Sequence, residues 1–496
     1  MDFVVIALYM AAMVAVGFWA KGKAKSESDY LVAGRRLGPM LYAGTMAALV
    51  MGGGATIGGV GRGYIFGISG MWLPFALGMG VFVVSLTIAP LVSRLKVYTV
   101  SQMLELRYGP GTSLLSGFVM MSYAFMIAVT STIAYGAIFE VQFGMTKIPA
   151  VLFGGGIVVL YSVLGGMWSI TLTDFAQFII KTIGLMFILL PASIMAAGGL
   201  DNMHAKLPPE MFSPTNIGWG RIITFFIIFN LSIVVGQDVW QRIFTARSPE
   251  VAKWAGAGAG IYCFVFATCV GLIGTAAQIV LPAGIERDKV YAEMVKATLP
   301  EGISGLVMAA ALAAIMSVSS GTLIASATVA KEDIMRVLKR KSLADATDET
   351  SDHKDEVADS RWYILGFGVL MILLACVMKD VVTALTIGSA IVVTGLFVPI
   401  IGGMVWSRGT LMGAVAGIIL GIVFTFGDMA YLAFFGGMSG EDAIGADEPV
   451  YIGMLGSLIG YVIVSLMSAP TPAAVMEEWL RRAKKPESTQ PAASSP

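Results

Sequence analysis

Asp174 and Lys181 are ionisable residues within a largely apolar stretch, residues 170–198, that is long enough to cross a membrane. Seven positions separate them, about two turns of an α-helix, so both side chains face nearly the same side. If the span begins near Ile170, Lys181 lies roughly 16 Å deep in a hydrocarbon layer about 30 Å thick, beyond the reach of snorkelling. A charge at that depth costs at least about 3 kcal/mol, so such residues usually line an ion or solute path. The alternative is an ion pair that only locks helices together.

The composition is that of a membrane protein. Of the 496 residues, 57% are hydrophobic and 13% are charged, and the mean hydropathy is +0.81. The 32 basic and 32 acidic residues balance, so the net charge itself points to no partner. We predict the lipid bilayer and a small-molecule solute as partners, and no nucleic acid.

The cysteines and histidines do not predict a metal site or an enzyme. The three cysteines, Cys263, Cys269 and Cys376, lie within spans and form no CxxC motif, so they are interpreted as packing residues. Both histidines, His204 and His353, fall in predicted loops. The only charges predicted to be well buried are the Asp–Lys pair described above, which lacks the partners of an intramembrane enzyme.

The chain divides into about thirteen runs long enough to span a bilayer. These runs are 2–20, 38–61, 68–93, 112–139, 149–165, 170–198, 221–239, 254–281, 303–330, 362–378, 381–405, 409–436 and 451–468. With the N-terminus outside, 23 of the 32 basic residues fall in cytoplasmic segments, eight fall at outer positions, and Lys181 is the remainder. The positive-inside rule therefore predicts this orientation in the inner (cell) membrane, with a cytoplasmic C-terminus.

The predicted organisation is a single membrane domain over residues 1–470. Residues 331–361 form a charged cytoplasmic loop, and its portion from residue 339 onward, which lacks apolar periodicity, is predicted to be a solvated connector. Residues 471–496 form a cytoplasmic tail that ends in a Ser-, Pro- and Ala-rich stretch.

Two spans are interrupted. The second contains Gly52, Gly53 and Gly54 in its middle, and each glycine weakens a helix by about 1 kcal/mol relative to Ala. The seventh contains Asn230, followed by Gly236-Gln237-Asp238. Interrupted helices at matching places in two halves are typical of inverted-repeat transporters with a midplane site. We therefore predict that the three glycines, Asn230 and Gln237 bind the solute, the alternative being close helix packing.

Several motifs resemble the sodium:solute symporter family, which includes proline, sugar, sialic acid, pantothenate and choline carriers. The most specific are GGMWSITLTDFAQ at 165–177, VWQRIFTARSPEVAK at 239–253 and AALAAIMSVSSGTLIASATVAKEDI at 310–334. The segment RRLGPM at 35–40, which leads into the broken second span, also fits the family pattern. The resemblance covers nearly the whole membrane domain.

The resemblance implies an all-α membrane protein with thirteen transmembrane helices and two inverted five-helix repeats, approximately 38–198 and 221–405. It also implies a cation site between the second and ninth spans. The positions that match the family's ligands are the carbonyls of Ala48, Met51 and Ala314 and the hydroxyl of Ser317. No cofactor is implied beyond a sodium ion.

Two residues depart from the family pattern. The second hydroxyl position holds Val318, which offers no side-chain oxygen, and the family does not usually carry a Lys at position 181. In amino-acid carriers of related architecture, a Lys amine from the equivalent helix can replace sodium and couple transport to protons. We therefore predict that the amine of Lys181 lies near Ser317, Asp174 and the carbonyls of the second span. Ordinary sodium coupling, with water or Ser320 completing the site, stays open.

The predicted function is a secondary transporter that imports a small organic solute by cation-coupled symport, with sodium or a proton as the coupling ion. The alternative is a transporter-fold solute sensor without net transport, which the short segment after residue 470 disfavours. Amino acids, monocarboxylates and choline-like solutes are all open as substrates. Val50 argues against choline, because choline carriers hold at that position an aromatic suited to a quaternary ammonium.

Overall fold

A computed structural model describes residues 1–21, 26–339, 354–378 and 381–483. Over these residues the protein is α-helical and contains no β-strand. The only β-type pairing in the same residues is an isolated bridge between Leu37 and Ala246. The predicted all-α class is therefore confirmed.

The N-terminal half of the chain forms the helices that carry Lys181 and the first break. They are α1 (Asp2–Lys21), α2 (Glu27–Val32), α3 (Pro39–Val50), α4 (Gly53–Phe66), α5 (Trp72–Thr87), α6 (Ala89–Leu95), α7 (Val100–Tyr108), α8 (Thr112–Phe143), α9 (Lys147–Lys181), α10 (Leu190–Ala196) and α11 (Gly199–Lys206). A π-helical segment, Thr182–Leu189, joins α9 to α10.

The C-terminal half begins with the second broken span. Its helices are α12 (Trp219–Phe225), α13 (Leu231–Val235), α14 (Gln237–Thr245), α15 (Pro249–Val280), α16 (Val290–Thr298), α17 (Ile303–Val329), α18 (Arg336–Leu338), α19 (Lys354–Val377), α20 (Val381–Val392), α21 (Val398–Val405), α22 (Leu411–Phe434), α23 (Gly440–Gly445), α24 (Glu448–Met467) and α25 (Ala473–Ala483). Further π-helical segments are Phe226–Asn230, Ala330–Met335 and Val393–Phe397.

The number of membrane spans depends on how the broken helices are counted. Within the described residues, 11 helices are long and apolar enough to cross a membrane, or 12 if α12–α14 count as one bent span. Helix α3, at 12 residues, is too short to cross alone and is separated from α4 at Met51 and Gly52. The predicted number of thirteen therefore stays a prediction.

Glycine permits the sharpest bend in α9. Gly166 has φ +57° and ψ −148° inside this helix, and a Cβ there would lie 2.6 Å from the ring of Tyr30. Residues with a side chain rarely adopt such a positive φ. The bend divides α9 into two spans, Lys147–Leu164 and Gly166–Ala196, the second of which carries Asp174 and Lys181.

Helix α17 forms the centre of the molecule. Every residue in its most apolar 18-residue window is buried, and the helix packs against α1, α8 and α9. Its C-terminal half is rich in small hydroxyl residues, Ser317, Ser319, Ser320 and Thr322 among them, all fully buried. Buried hydroxyl groups need hydrogen-bond partners, and those of Ser317, Ser320 and Thr322 donate to backbone carbonyls.

Three predicted loops differ in the structure. Residues 240–245, predicted to begin a cytoplasmic loop, belong to α14, and this buries Arg242 completely. The predicted connector after residue 339 ends earlier than expected, because α19 begins at Lys354. The start of the predicted tail contains α25, while residues 340–353 and 484–496 lie outside the described residues.

Candidate ion and solute site

The amine of Lys181 lies at the break between α3 and α4. Its Nζ donates hydrogen bonds to three main-chain oxygens, those of Ala47 (3.1 Å), Ala48 (3.1 Å) and Met51 (3.2 Å). The side chain is 1% exposed, and the ring centre of Phe266 lies 5.7 Å from Nζ on α15. An ammonium has three N–H donors, and all three have an acceptor here.

The break leaves these carbonyls available. Met51 leaves helical geometry with φ −87° and ψ 61°, and Gly52 is extended, so the α-helical pattern stops at Val50. The last carbonyls of a helix have no partner within that helix and need another donor. Lys181 supplies it from the point where α9 passes into a π-helical segment, an irregularity often found at functional sites.

Ser317 and Ala314 lie at the same place, on α17. Ser317 Oγ is 2.8 Å from the Ala48 oxygen and 3.1 Å from the Ala314 oxygen, within donating distance of both. The structure thus brings together all four predicted cation-site residues and Lys181. Val318 packs against Gly52, where a Cβ would overlap its side chain, and offers no oxygen to the site.

Asp174 has a different partner from the one predicted. Its Oδ2 accepts hydrogen bonds from Thr45 Oγ1 (2.6 Å) and from Arg242 Nη2 (3.0 Å), and all three side chains are fully buried. Lys181 lies two turns further along α9 and bonds to carbonyls instead. Asp174 therefore forms a buried ion pair between α9 and α14, and the sequence interpretation, which placed Arg242 in a loop, missed it.

A small cavity lies on the other side of the break. Gly52, Gly53 and Gly54 form one wall, and residues of α3, α5, α8, α13, α14, α17 and α20 also line it. Its volume is about 40 Å³. A water molecule takes roughly 30 Å³ in the liquid, so the cavity is large enough for about one water molecule and too small for an organic solute.

The two polar residues predicted to bind solute do not line this cavity. Gln237 is fully buried, and its amide bonds to the backbone of Val100 (2.8 Å) and Tyr98 (3.1 Å). Asn230 lies in the π-helical segment Phe226–Asn230 and is also absent from the lining. The neighbouring Asp238 faces the cavity instead, and an acidic residue just after a glycine break was the signal that could have identified it.

A larger cavity opens beyond the small one. It has a volume of about 990 Å³ and is lined by Arg62, Phe66, Arg221 and Glu448, among others. Arg221 pairs with Asp447 at 3.0 Å at its rim. On α20, Val382 and Thr386 face the large cavity while Leu385 faces the small one, so α20 forms the partition between them.

The opposite face of the molecule is closed by hydrogen bonds between helix ends. Arg35 donates to the carbonyls of Val97 (3.2 Å) and Phe244 (3.4 Å). Thr99 donates to the buried carboxylate of Asp333 at 2.6 Å. Together with the bonds of Gln237, these contacts join α14 and the π-helical segment Ala330–Met335 to the segment before α7. The large cavity lies on the other side of the small one from these contacts.

A model of the sodium:solute symporter family matches residues 30–421. The chain belongs to the sodium:solute symporter family. The resemblance read from the sequence is thereby confirmed, together with multi-pass membrane transport and symport as the family activity.

Curated relatives of this family member include proline carriers. The chain is 27% identical over 431 residues to the high-affinity proline transporter PutP of Bacillus subtilis (strain 168), covering 82% of this chain and 88% of that one. It is 25% identical to the osmoregulated proline transporter OpuE of the same organism, covering 97% and 98%. It is 24% identical to a sodium/proline symporter of Staphylococcus aureus, covering 97% and 95%.

Solved structures support the fold. A substrate-bound, outward-open Na⁺-coupled sialic acid symporter superposes with a TM-score of 0.78 at 20% identity, covering 95% of this chain and 98% of that one. The nucleobase-cation-symport-1 family transporter Mhp1, in a closed conformation, gives a TM-score of 0.56 at 13% identity, covering 92% and 98%. This family member therefore shares their fold of inverted repeats with discontinuous helices.

Proposed function

We propose that this protein imports a small organic solute by secondary active transport, and that the ammonium of Lys181 replaces the sodium ion at the helix break. The coupling ion is then a proton that binds to and leaves this amine. The membership in a family of cation-coupled symporters supports the first part. The assignment of Lys181 as the group that replaces sodium depends on the hydrogen bonds of its amine.

The observation that carries the proposal is the three hydrogen bonds from Lys181 Nζ to the carbonyls of Ala47, Ala48 and Met51. A hard cation needs several oxygen ligands, and an ammonium needs three oxygen acceptors. The same carbonyls cannot serve both at once. A protonated Lys181 therefore supplies inside the protein the charge that a bound sodium ion would supply from solution.

Val318 supports the same conclusion. A sodium site at this break requires side-chain hydroxyls in addition to carbonyls, and α17 offers Ser317 but no second hydroxyl at the next position. Loss of one oxygen ligand weakens binding of a cation whose affinity depends on ligand number. Val318 does not weaken the site if the amine of Lys181 already occupies it, because no sodium ion then needs the second hydroxyl.

Protonation of Lys181 then favours one conformation. The charged amine ties α9 to the end of α3, whereas the neutral amine has one donor fewer and no charge to place among the carbonyls. A group that binds a proton more tightly in one conformation shifts the equilibrium towards it. In the orientation predicted from the basic residues, the 990 Å³ cavity faces outward, and the described conformation is then an outward-facing one.

Ordinary sodium symport is the second candidate, because sodium-coupled proteins are among the relatives. It requires Lys181 to leave the carbonyls, with water or Ser320 as the missing ligand. Ser320 Oγ is already 3.3 Å from the Ser317 carbonyl, to which it donates. A solute sensor without net transport shares the fold, and the uptake assay below separates it from both forms of symport.

The test is solute uptake into proteoliposomes under an imposed pH gradient and, separately, a sodium gradient. Radiolabelled proline is the first probe, because the relatives named above are proline carriers. We expect the wild type to accumulate solute with an inward proton gradient and to show little response to sodium. Lys181→Ala should lose the response to pH by about tenfold or more, because its amine is the proposed proton carrier.

Lys289→Ala is the matched control, since Lys289 pairs with Glu140 away from the break. It should retain the dependence of the wild type on pH. Steep sodium dependence in the wild type that Lys181→Ala leaves unchanged would overturn the assignment of Lys181. Absence of uptake for every solute that binds the protein would overturn transport itself.

A further inference from the structure

Asp238 is a buried carboxylate that makes no salt bridge within the described residues, although the charge of Arg242, one turn away, acts on it. It lies on the first turn of α14, is 3% exposed and lines the small cavity opposite the glycines of the break. Tyr123 Oη donates to its Oδ1 at 3.0 Å, and the main-chain N–H of Val239 lies within bonding reach. In the part of the chain that the structure describes, no Lys or Arg nitrogen lies within 4.0 Å of this carboxylate.

The two basic residues on neighbouring segments form their hydrogen bonds with other groups. Arg242, one turn further along α14, pairs with Asp174. Lys181 bonds to the carbonyls on the other side of the break. Asp238 is the only charged residue in the lining of the cavity, whose other polar groups are the hydroxyls of Thr130, Ser131, Ser232, Ser389 and Tyr123.

Burial of a carboxylate is costly unless a partner compensates. Desolvation of a buried ion costs several kcal/mol. Hydrogen bonds from the Tyr123 hydroxyl and from main-chain N–H groups offset only part of this cost for Asp238. A ligand with a positive charge would complete the compensation, because it brings the missing opposite charge into contact with the carboxylate. A ligand whose only charge is negative would meet repulsion in the same place.

We propose that Asp238 binds a positively charged nitrogen of the transported solute. The substrate is therefore an amino acid, a betaine or another small ammonium compound, and monocarboxylates without such a nitrogen are excluded. This inference rests on the proposed function only in one respect, that the solute bound by Asp238 is also the solute that is transported. The hydroxyls and the free N–H groups at the start of α4 remain available for the other end of the solute.

The cavity must widen before the solute binds, and its contacts indicate where. Leu385 on α20 is the closest side chain to Gly54, with its Cδ2 3.0 Å from the position of a Cβ there. A shift of α20 away from α4 would join the small cavity to the large one. Asp238 would then lie at the inner end of a continuous path from the large cavity.

The experiment is ligand-induced thermal stabilisation of the purified full-length protein with matched solutes. Proline, glycine betaine, choline and putrescine carry a cationic nitrogen; cyclopentanecarboxylate, lactate and 3,3-dimethylbutanol do not. We expect stabilisation by at least one member of the first group and by none of the second. Asp238→Asn, which keeps the size and the hydrogen-bonding capacity, should weaken binding of that solute by about tenfold or more.

Asp201→Asn, which removes an exposed carboxylate on α11, is the control and should bind as the wild type does. Tyr123→Phe should weaken binding less than Asp238→Asn, because it leaves the charge in place. Stabilisation by lactate, no stabilisation by any cationic solute, or unchanged binding in Asp238→Asn would each overturn the proposal. Binding that requires Asp238 without any uptake in proteoliposomes would refute transport but leave this assignment standing.

Discussion

Arg242 Nη2 lies 3.0 Å from Asp174 Oδ2, and both side chains are completely buried. The pair joins α14, the second half of one broken span, to α9, which carries Lys181. Removal of one member of such a pair leaves an uncompensated charge and costs about 3–5 kcal/mol. We therefore predict that Asp174→Ala and Arg242→Ala each lower the thermal stability of the protein in detergent strongly.

The pair Glu478–Arg481 on α25 is the matched control, because Arg481 is largely exposed and the two groups are three positions apart. An exposed pair contributes only about 0–1 kcal/mol, so Glu478→Ala should leave the melting temperature nearly unchanged. A double variant, Asp174→Ala with Arg242→Ala, should be more stable than the less stable single variant. Additive losses in the double variant would contradict a direct interaction.

Much of the fold could be predicted from the sequence because a bilayer imposes simple rules. Apolar runs of about twenty residues identify spans, and consecutive glycines identify a break. The limits of the helices were harder to predict. The sequence predicts a loop around Arg242, because nothing near it in the chain indicates that it pairs with Asp174. Tertiary pairing of this kind has no local signal.

The site was predicted in part. The depth of Lys181 and the resemblance predict that it lies near the second-span carbonyls, and its Nζ bonds to three of them, while its role in coupling stays a prediction. The sequence predicts Gln237 as a solute ligand because its amide can form hydrogen bonds, and it does not single out Asp238, the next residue. A rotation of one residue along α14 decides which side chain faces the cavity, and periodicity cannot fix that rotation across a break.

The glycines of the break provide a second prediction. Gly53→Leu and Gly54→Leu should abolish uptake while the protein still inserts and folds. A Cβ at Gly53 would lie 3.0 Å from the Cβ of Ala134, and one at Gly54 would lie 3.0 Å from Leu385. Leucine would also favour extension of the helix into Met51 and Gly52, where the chain is not helical. Proteoliposome uptake and size-exclusion chromatography measure the two effects separately.

Gly156→Leu is the control for this substitution. Gly156 is exposed on α9, and nothing lies within 4 Å of the position of its Cβ, so uptake should be unchanged. Normal uptake by both Gly53→Leu and Gly54→Leu would mean that these glycines only allow close packing and that the solute binds elsewhere.

The topology provides a third prediction, which depends on the 23 basic residues assigned to the cytoplasmic side. In a variant without native cysteines, a cysteine at Ser439, next to the large cavity, should react with an impermeant reagent added to intact cells. A cysteine at Ser351, which lies outside the described residues, should react only after lysis. Labelling of the cysteine at Ser351 from outside would reverse the orientation.

The last prediction reconstructs a sodium site. In Lys181→Ala the carbonyls of Ala48 and Met51 lose the ammonium as a donor, and Val318→Ser adds a hydroxyl next to Ser317. The double variant should therefore bind sodium, whereas the wild type should not, because its ammonium holds the same oxygens. A ligand that binds only the folded state raises its stability, so sodium chloride should raise the melting temperature of the double variant above its value in potassium chloride. This measurement requires no knowledge of the solute.

The single variant Val318→Ser, with Lys181 still in place, is the control and should show no preference for sodium. A sodium-specific shift already present in the wild type would mean that the ion and the amine do not compete, and that coupling to sodium is retained in this chain.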